Sequence, residues 1–215
     1  MHVLVVGGVV AMAPICALIG EDAYWWFTGE EGFVEVWQVV FFALAGVFAL
    51  RARAVLARLG ERGLSRWFLL AAVGLFLLVG EEISWGQRLF GWATPENLAA
   101  INRQGETTLH NIQGLHEIMG LGQMLLGAYG ALLPFWVQRY RGPGSRLVRA
   151  FVPAVRFAPY FAPVLLWRIY RELGPLPSGR AYALTQLNEV FELTLSIGIF
   201  LLFQDAFRRA RAGAL

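Results

Sequence analysis

Residues 67–86 read Trp67-Phe68-Leu69-Leu70-Ala71-Ala72-Val73-Gly74-Leu75-Phe76-Leu77-Leu78-Val79-Gly80-Glu81-Glu82-Ile83-Ser84-Trp85-Gly86. A long uncharged run ends on a pair of glutamates. As an α-helix rising about 1.5 Å per residue, a stretch of this length crosses the roughly 30 Å hydrocarbon core of a bilayer. The same reading applies to Val3–Ile19, Phe33–Leu50, Leu115–Val137, Ala154–Tyr170 and Leu187–Phe207. Of the 215 residues, 57% are apolar and 15% charged, against about 45–50% and about 25% in a globular domain. Such a composition excludes a disordered chain, a secreted disulfide framework, a collagen-like fibre and an ordinary soluble α/β enzyme. The expectation is an all-α polytopic membrane helix bundle of about six transmembrane helices, one integral membrane domain over residues 1–215. Val3–Ile19 lacks the positive flank and small-residue cleavage site of a signal peptide, so it counts as a span. The single cysteine, Cys16, lies inside it and has no partner for an intrachain disulfide. Ala154–Tyr170 is short, and Pro159 and Pro163 are expected to kink it.

Charge sets the number and direction of the spans, because short cytoplasmic loops collect arginine and lysine. The connection after the second span carries Arg51, Arg53, Arg58, Arg62 and Arg66. The one after the fourth carries Arg139, Arg141, Arg146, Arg149 and Arg156, and the tail carries Arg208, Arg209 and Arg211. Against these 13 arginines stand two acids, Glu61 and Asp205, a net +11; the rest of the chain holds five arginines and 13 acids, a net −8. Only an even number of spans puts all three basic segments on one side. Six spans with both termini cytoplasmic follow. Topology rather than nucleic acid accounts for the arginines, and the chain carries no nucleic-acid module, P-loop, dinucleotide fingerprint or zinc knuckle.

Polar residues at membrane depth are expensive and mark functional or tightly paired sites. Here they share one depth. Glu35 and Gln38 open the second span; Glu81 and Glu82, followed by Ser84, Trp85, Gln87 and Arg88, close the third. His116 and Glu117 open the fourth, with Gln123 two turns further in, and Asn188, Glu189 and Glu192 open the sixth. With the topology above, all lie in the outer third of the membrane, on the side away from the basic segments. Glu35, Glu82, His116 and Glu192 are expected to face one interior cavity. On a continuous helix Glu82 and Trp85 share a face, as do Glu81 and Ser84.

The connection between spans three and four belongs to the same layer. Thr94-Pro95-Glu96-Asn97 reads as a helix start, with Thr94 as N-cap and Pro95 at the first helical position, and Gly105 as the stop. A short interfacial helix is expected there. Asn102, Gln104, Glu106, His110 and Asn111 follow it, a polar segment suited to roofing a cavity. Plainer readings apply elsewhere. Trp25, Trp26, Trp85 and Trp92 read as an interfacial aromatic belt. Gly120, Gly122, Gly127 and Gly130 read as close-packing positions, and His2 as an incidental terminal residue.

Three blocks carry a resemblance: Glu30-Glu31-Gly32-Phe33-Val34-Glu35-Val36-Trp37-Gln38, Gly80-Glu81-Glu82-Ile83-Ser84-Trp85-Gly86-Gln87-Arg88 and Gln104-Gly105-Glu106-Thr107-Thr108-Leu109-His110-Asn111. In them the chain resembles an uncharacterised family of bacterial polytopic inner-membrane proteins. The resemblance covers about residues 21–115; it implies a multi-pass fold in the bacterial inner membrane and brings no reaction with it. A looser likeness, to the ceramidase and progestin-receptor-like membrane hydrolases, lies in gathering acids and histidines at a membrane face. Those proteins have seven spans and a histidine pair in the last, which span six here lacks, so no residue is carried over.

The layer supports three kinds of function. The first is a membrane-embedded hydrolase or transferase acting on a lipid or lipid-linked substrate from a periplasm-facing cavity. Its candidate catalytic groups are Glu35, Glu81, Glu82, Glu189 and Glu192, carboxylates able to move protons. Its candidate substrate contacts are Gln38, Trp85, Gln87, Arg88, Gln104, Glu106, Asn111 and Arg171. Arg171, with Arg168 and Arg180, suits a phosphate head group or anchoring to anionic lipid. His110 and His116 with the glutamates form an N/O set for a divalent metal such as zinc, although their six-residue spacing is no helical metal motif. The second is a non-catalytic accessory subunit of a larger membrane complex, with membrane lipids and other subunits as partners. The third is a proton-coupled transporter, against which the lack of an inverted repeat speaks.

Overall fold

The computed structural model describes residues 1–102, 104–109, 111–112, 114–140, 144–174 and 186–215, without the side chains of residues 88, 89, 116 and 117. Helix α1 (His2–Ile19) ends at Gly20 and is followed by α2 (Glu21–Thr28). The acidic aromatic stretch at Glu21–Trp26 is therefore helical. Glu21 and Asp22 in its first turn complement the positive helix N-terminus. Next come α3 (Phe33–Arg58), α4 (Arg62–Glu82), a 3₁₀ turn (Ser84–Gly86), and the short helices α5 (Gln87–Phe90) and α6 (Glu96–Ala99). The second half holds α7 (Leu115–Tyr140), α8 (Arg146–Phe151), a 3₁₀ turn (Val155–Phe157), α9 (Ala158–Leu173) and α10 (Leu187–Arg211). No strand occurs among the described residues, only an isolated bridge between Asn102 and Ile112.

Six segments are long and apolar enough to cross a membrane: His2–Ile19, Glu21–Arg58, Arg62–Glu82, Ile118–Tyr140, Arg146–Leu173 and Leu187–Arg211. The chain is an all-α, multi-pass membrane bundle. The short fifth span is completed by α8 and the 3₁₀ turn that precede α9. Pro159 falls in the first turn of α9, where its missing N–H leaves no bond unmade, and only Pro163 lies within the helix.

The helices pack as an arc. α4 lies on α3, α3 on α10, α10 on α9 and α9 on α7, with α1 outside against α2, α9 and α10. Close approach of α7 and α9 rests on glycine. A Cβ on Gly127 would meet Leu165 backbone at 2.9 Å, and one on Gly130 would meet the Phe161 ring at 2.0 Å. Gly122 faces open space and takes no part in this packing.

One end of the bundle is sealed and basic. The ring of Phe151 on α8 lies 4.8 Å from that of Phe68 and 6.2 Å from that of Phe203, closing the space between α4 and α10. The Tyr129 hydroxyl donates to the Phe151 carbonyl. Here the three arginine-rich segments meet: Arg146 pairs with Glu61, Arg156 with Asp205 at 2.7 Å, and Arg209 with Asp205 at 3.0 Å. The only two acids assigned to that side thus each hold arginine. His2 is not incidental, since its Nδ1 lies 3.1 Å from the Tyr160 hydroxyl and its ring packs edge-on against Phe157.

Candidate functional site

At the other end, α4 stops at Glu82, one turn short of the Gly86 end read from the sequence, and the chain reverses through three residues with positive φ: Ser84 (48°), Trp85 (54°) and Gly86 (80°). Left-handed backbone at a non-glycine residue costs roughly 1–2 kcal/mol, so the turn needs side-chain support, and the neighbouring residues supply it. The Trp85 indole folds back over Gly80, where a Cβ would lie 2.8 Å from the ring, and its Nε1 donates to Glu81 Oε1 at 2.8 Å. Buried Ser84 donates to Glu106 Oε2 at 2.8 Å. Gln87 Nε2 donates to Thr94 Oγ1, and its Oε1 accepts from the Thr107 N–H, both at 2.8 Å. Because the helix has ended, Glu82 and Trp85 do not share a face.

This turn carries the roof. Asn102, buried, organises the segment after α6: its Nδ2 donates to the Thr108 carbonyl at 2.8 Å and its Oδ1 accepts from the N–H groups of Gln104 and Glu106. Glu81 Oε2 accepts from the Leu109 N–H at 2.7 Å, and Gln104 Nε2 donates to Glu30 Oε1 at 2.5 Å while its Oε1 accepts from Asn111. The short helix α6 starts at Glu96 with Pro95 as its cap; Thr94 instead bonds Gln87, which corrects its assignment as N-cap.

Beneath the roof is a cavity of about 500 Å³, lined by residues of five long helices. Glu35 comes from α3, Glu81 and Glu82 from α4, Gln123 from α7, Arg168 from α9, and Glu189 and Glu192 from α10. Glu35 Oε2 also accepts from the Glu31 N–H at 2.6 Å, closing the turn before α3. Glu192 Oε1 accepts from Gln123 Nε2 at 2.6 Å and from Asn188 Nδ2, and Gln123 Oε1 in turn accepts from Arg168. The amide of Gln123 thus joins a guanidinium and a carboxylate that do not touch. Arg168 Nε is buried with no hydrogen-bond partner among the described residues. Glu82 lies within electrostatic reach of Glu189, Glu35 and Glu81, and makes no hydrogen bond among the described residues. Its neighbours in the sequence are occupied in holding the turn; Glu82 is not.

The five glutamates read as catalytic candidates all reach the cavity wall, as do Gln104, Glu106 and Asn111. Four substrate-contact assignments are not matched by the structure. Gln38 is fully buried, outside the lining, and donates to the Glu189 carbonyl at 2.8 Å, tying α3 to α10. Trp85 and Gln87 brace the roof turn and do not line the cavity. Arg171 is exposed, and the lining cation is Arg168, one turn earlier on α9. The sequence signal for it was an arginine within the limits of an apolar span. Arg88, His116 and Glu117 have side chains outside the description, and His110, Arg103 and Arg180 lie outside the described residues. Among the described residues, no group of three or more His, Cys, Asp or Glu is placed to hold a metal ion. The convergence expected of Glu35, Glu82 and Glu192 is therefore found, and that of His116 lies outside the description.

No family model, curated protein or solved structure matches this chain. Fold and site define its class: a multi-pass α-helical membrane protein with a roofed acidic cavity at one end of the bundle and an arginine-rich, sealed opposite end.

Proposed function

We propose that this protein is a membrane-embedded hydrolase or transferase that works on a lipid or lipid-linked substrate in the acidic cavity. It sits in the bacterial inner membrane with both termini in the cytoplasm and the roof on the periplasmic side. The observation that carries the reading is Glu82, a cavity-lining carboxylate whose side chain makes no hydrogen bond among the described residues, while its neighbours are committed to structure. In this reading Glu82 acts as general base. It takes the proton of a water, or of an acceptor hydroxyl in a transferase, as that oxygen attacks the substrate's acyl or phosphoryl centre, and returns it to the leaving group. Arg168, whose buried Nε–H has no partner among the described residues, stabilises the oxyanion formed on the way.

Reconstitution in nanodiscs made from total bacterial membrane lipid, followed by untargeted lipid mass spectrometry, tests the reaction. The wild-type protein should consume a lipid, and isosteric Glu82→Gln should do so about 10²–10⁴-fold more slowly. Identical lipid profiles would remove the enzyme and leave the accessory-subunit reading, whose sign is stoichiometric co-purification with other membrane proteins. Orientation follows from the arginine bias. A cysteine at exposed position 145, in a Cys16→Ser background, should resist a membrane-impermeant maleimide in intact spheroplasts and react after lysis. Labelling before lysis would reverse the orientation.

A further inference from the structure

α4 and α7 are the two ends of the arc. They are joined by the roof and follow one another as spans, yet among the described residues contact between them is slight at most, while every other neighbouring pair in the arc packs extensively. The cavity lies between them. Among the described side chains the lining on this side is apolar: Leu78 of α4, one turn below Glu82, and Leu115, Ile118 and Met119 of α7. Ile118 and Met119 line the cavity while 62% and 41% exposed, so the cavity opens sideways at their level. The flanking surface is lipid-facing, with Val73 and Leu77 exposed on α4 and Leu121 and Leu125 on α7.

The other ways in are obstructed among the described residues. Phe68, Phe151 and Phe203 close the basic end, and the roof is tied down at Glu30, Glu81 and Ser84. At membrane depth a gap between lipid-facing helices is filled by lipid, since hydrocarbon holds no water to fill it.

We infer that the gap between α4 and α7 is a lateral doorway holding one bilayer lipid, its head group drawn down among Glu82, Gln123 and Glu192 and its chains leaving past Leu78, Ile118 and Met119. This rests on the lipid-handling reading of the cavity and adds the route and the substrate class, an amphiphile taken from the membrane plane. A volume of about 500 Å³ accommodates a single head group and excludes a folded polypeptide.

The probe is phosphatidylethanolamine carrying a diazirine on its head group, mixed into phosphatidylethanolamine–phosphatidylglycerol nanodiscs containing the full chain. Photolysis and peptide mass spectrometry should place adducts in 78–82 and 118–123, below the interfacial adducts at Trp25 and Trp26. In a Cys16→Ser background, bridging Leu78→Cys to Ile118→Cys with a bis-methanethiosulfonate should lower the cavity adducts at least tenfold. Reduction should restore them, and the interfacial adducts should not change. Because the same folded protein is read before bridging, after it and after reduction, misfolding cannot mimic the effect. Adducts confined to the interface, or cavity adducts indifferent to the bridge, overturn the doorway. So does bridge-independent alkylation of Glu82→Cys by an impermeant maleimide, which would reveal a route through the roof. Labelling needs no turnover, so a doorway that survives alongside a Glu82→Gln variant of unchanged lipid profile would sink the enzyme and keep the route.

Discussion

Arg168→Met should lower the unfolding free energy by about 2–4 kcal/mol, somewhat less than a fully buried pair loses when one partner goes, because Arg168 is partly exposed. Arg168 is the only described cation on a wall that carries seven carboxylates, Glu30, Glu35, Glu81, Glu82, Glu106, Glu189 and Glu192. It reaches Glu192 through the Gln123 amide, whose oxygen accepts from the guanidinium and whose NH₂ donates to the carboxylate. Polarised in this way, the amide passes the attraction on. Combining Arg168→Met with Glu192→Met should therefore cost less than the two single changes together, with a coupling of about 1–2 kcal/mol. In a Gln123→Leu background the coupling should vanish. Thermal or denaturant unfolding in detergent reads all of these variants. Additive single effects would show that the relay transmits no charge and that the cavity tolerates its carboxylates by other means.

Gly130→Ala should cost about 3 kcal/mol, the upper part of the range for overpacking a core. Phe161, with no exposed surface, is held between two glycines. A Cβ on Gly130 would lie 2.0 Å from the ring, and one on Gly198 2.7 Å from its far edge. The ring has nowhere to move, because retreat from α7 drives it into α10. Gly122→Ala, with nothing within 4 Å, should be neutral or slightly stabilising through helix propensity. Phe161→Leu should partly rescue Gly130→Ala by vacating the contested space. Equal melting temperatures for Gly130→Ala and Gly122→Ala would refute this account of the α7–α9–α10 junction.

Positions along the membrane normal were legible in the sequence. Apolar run length reports a span, and a bilayer penalises every misplaced charge, so Glu35, Glu82, Gln123, Glu189 and Glu192 could be put at one level from their distance to the span ends. The arginines were read the same way, and the structure gathers them by pairing Arg146 with Glu61 and Arg156 with Asp205. The start of the roof helix was placed to within a residue, at Pro95, but the helix ends at Ala99 rather than running to Gly105.

Rotation about the helix axes and the choice of partner were not legible, because neither is local. Ser84 and Trp85 have no residue-level preference for positive φ. They adopt it because an indole fits over Gly80 and a carboxylate at 81 takes its N–H, contacts that exist only once the chain has turned. From the sequence Arg168 and Arg171, three residues apart at the end of one span, both suit a head group, and only the place of Arg168 just inside the span sets it apart. The glycine-lined contact of α7 with α9 rotates Arg168 into the cavity and Arg171 out of it. Gln38 looked like a ligand because it is polar and apposed to Glu35, yet α10 presents it with a backbone carbonyl. The flank between α4 and α7 likewise has no signature in either helix, since apart from the polar groups that line the cavity both are apolar on every side at that level. Local sequence determined the depth of each polar group. Tertiary packing alone decided which of them share a cavity and which side of it is left open, because those depend on how five helices fill one another's surfaces.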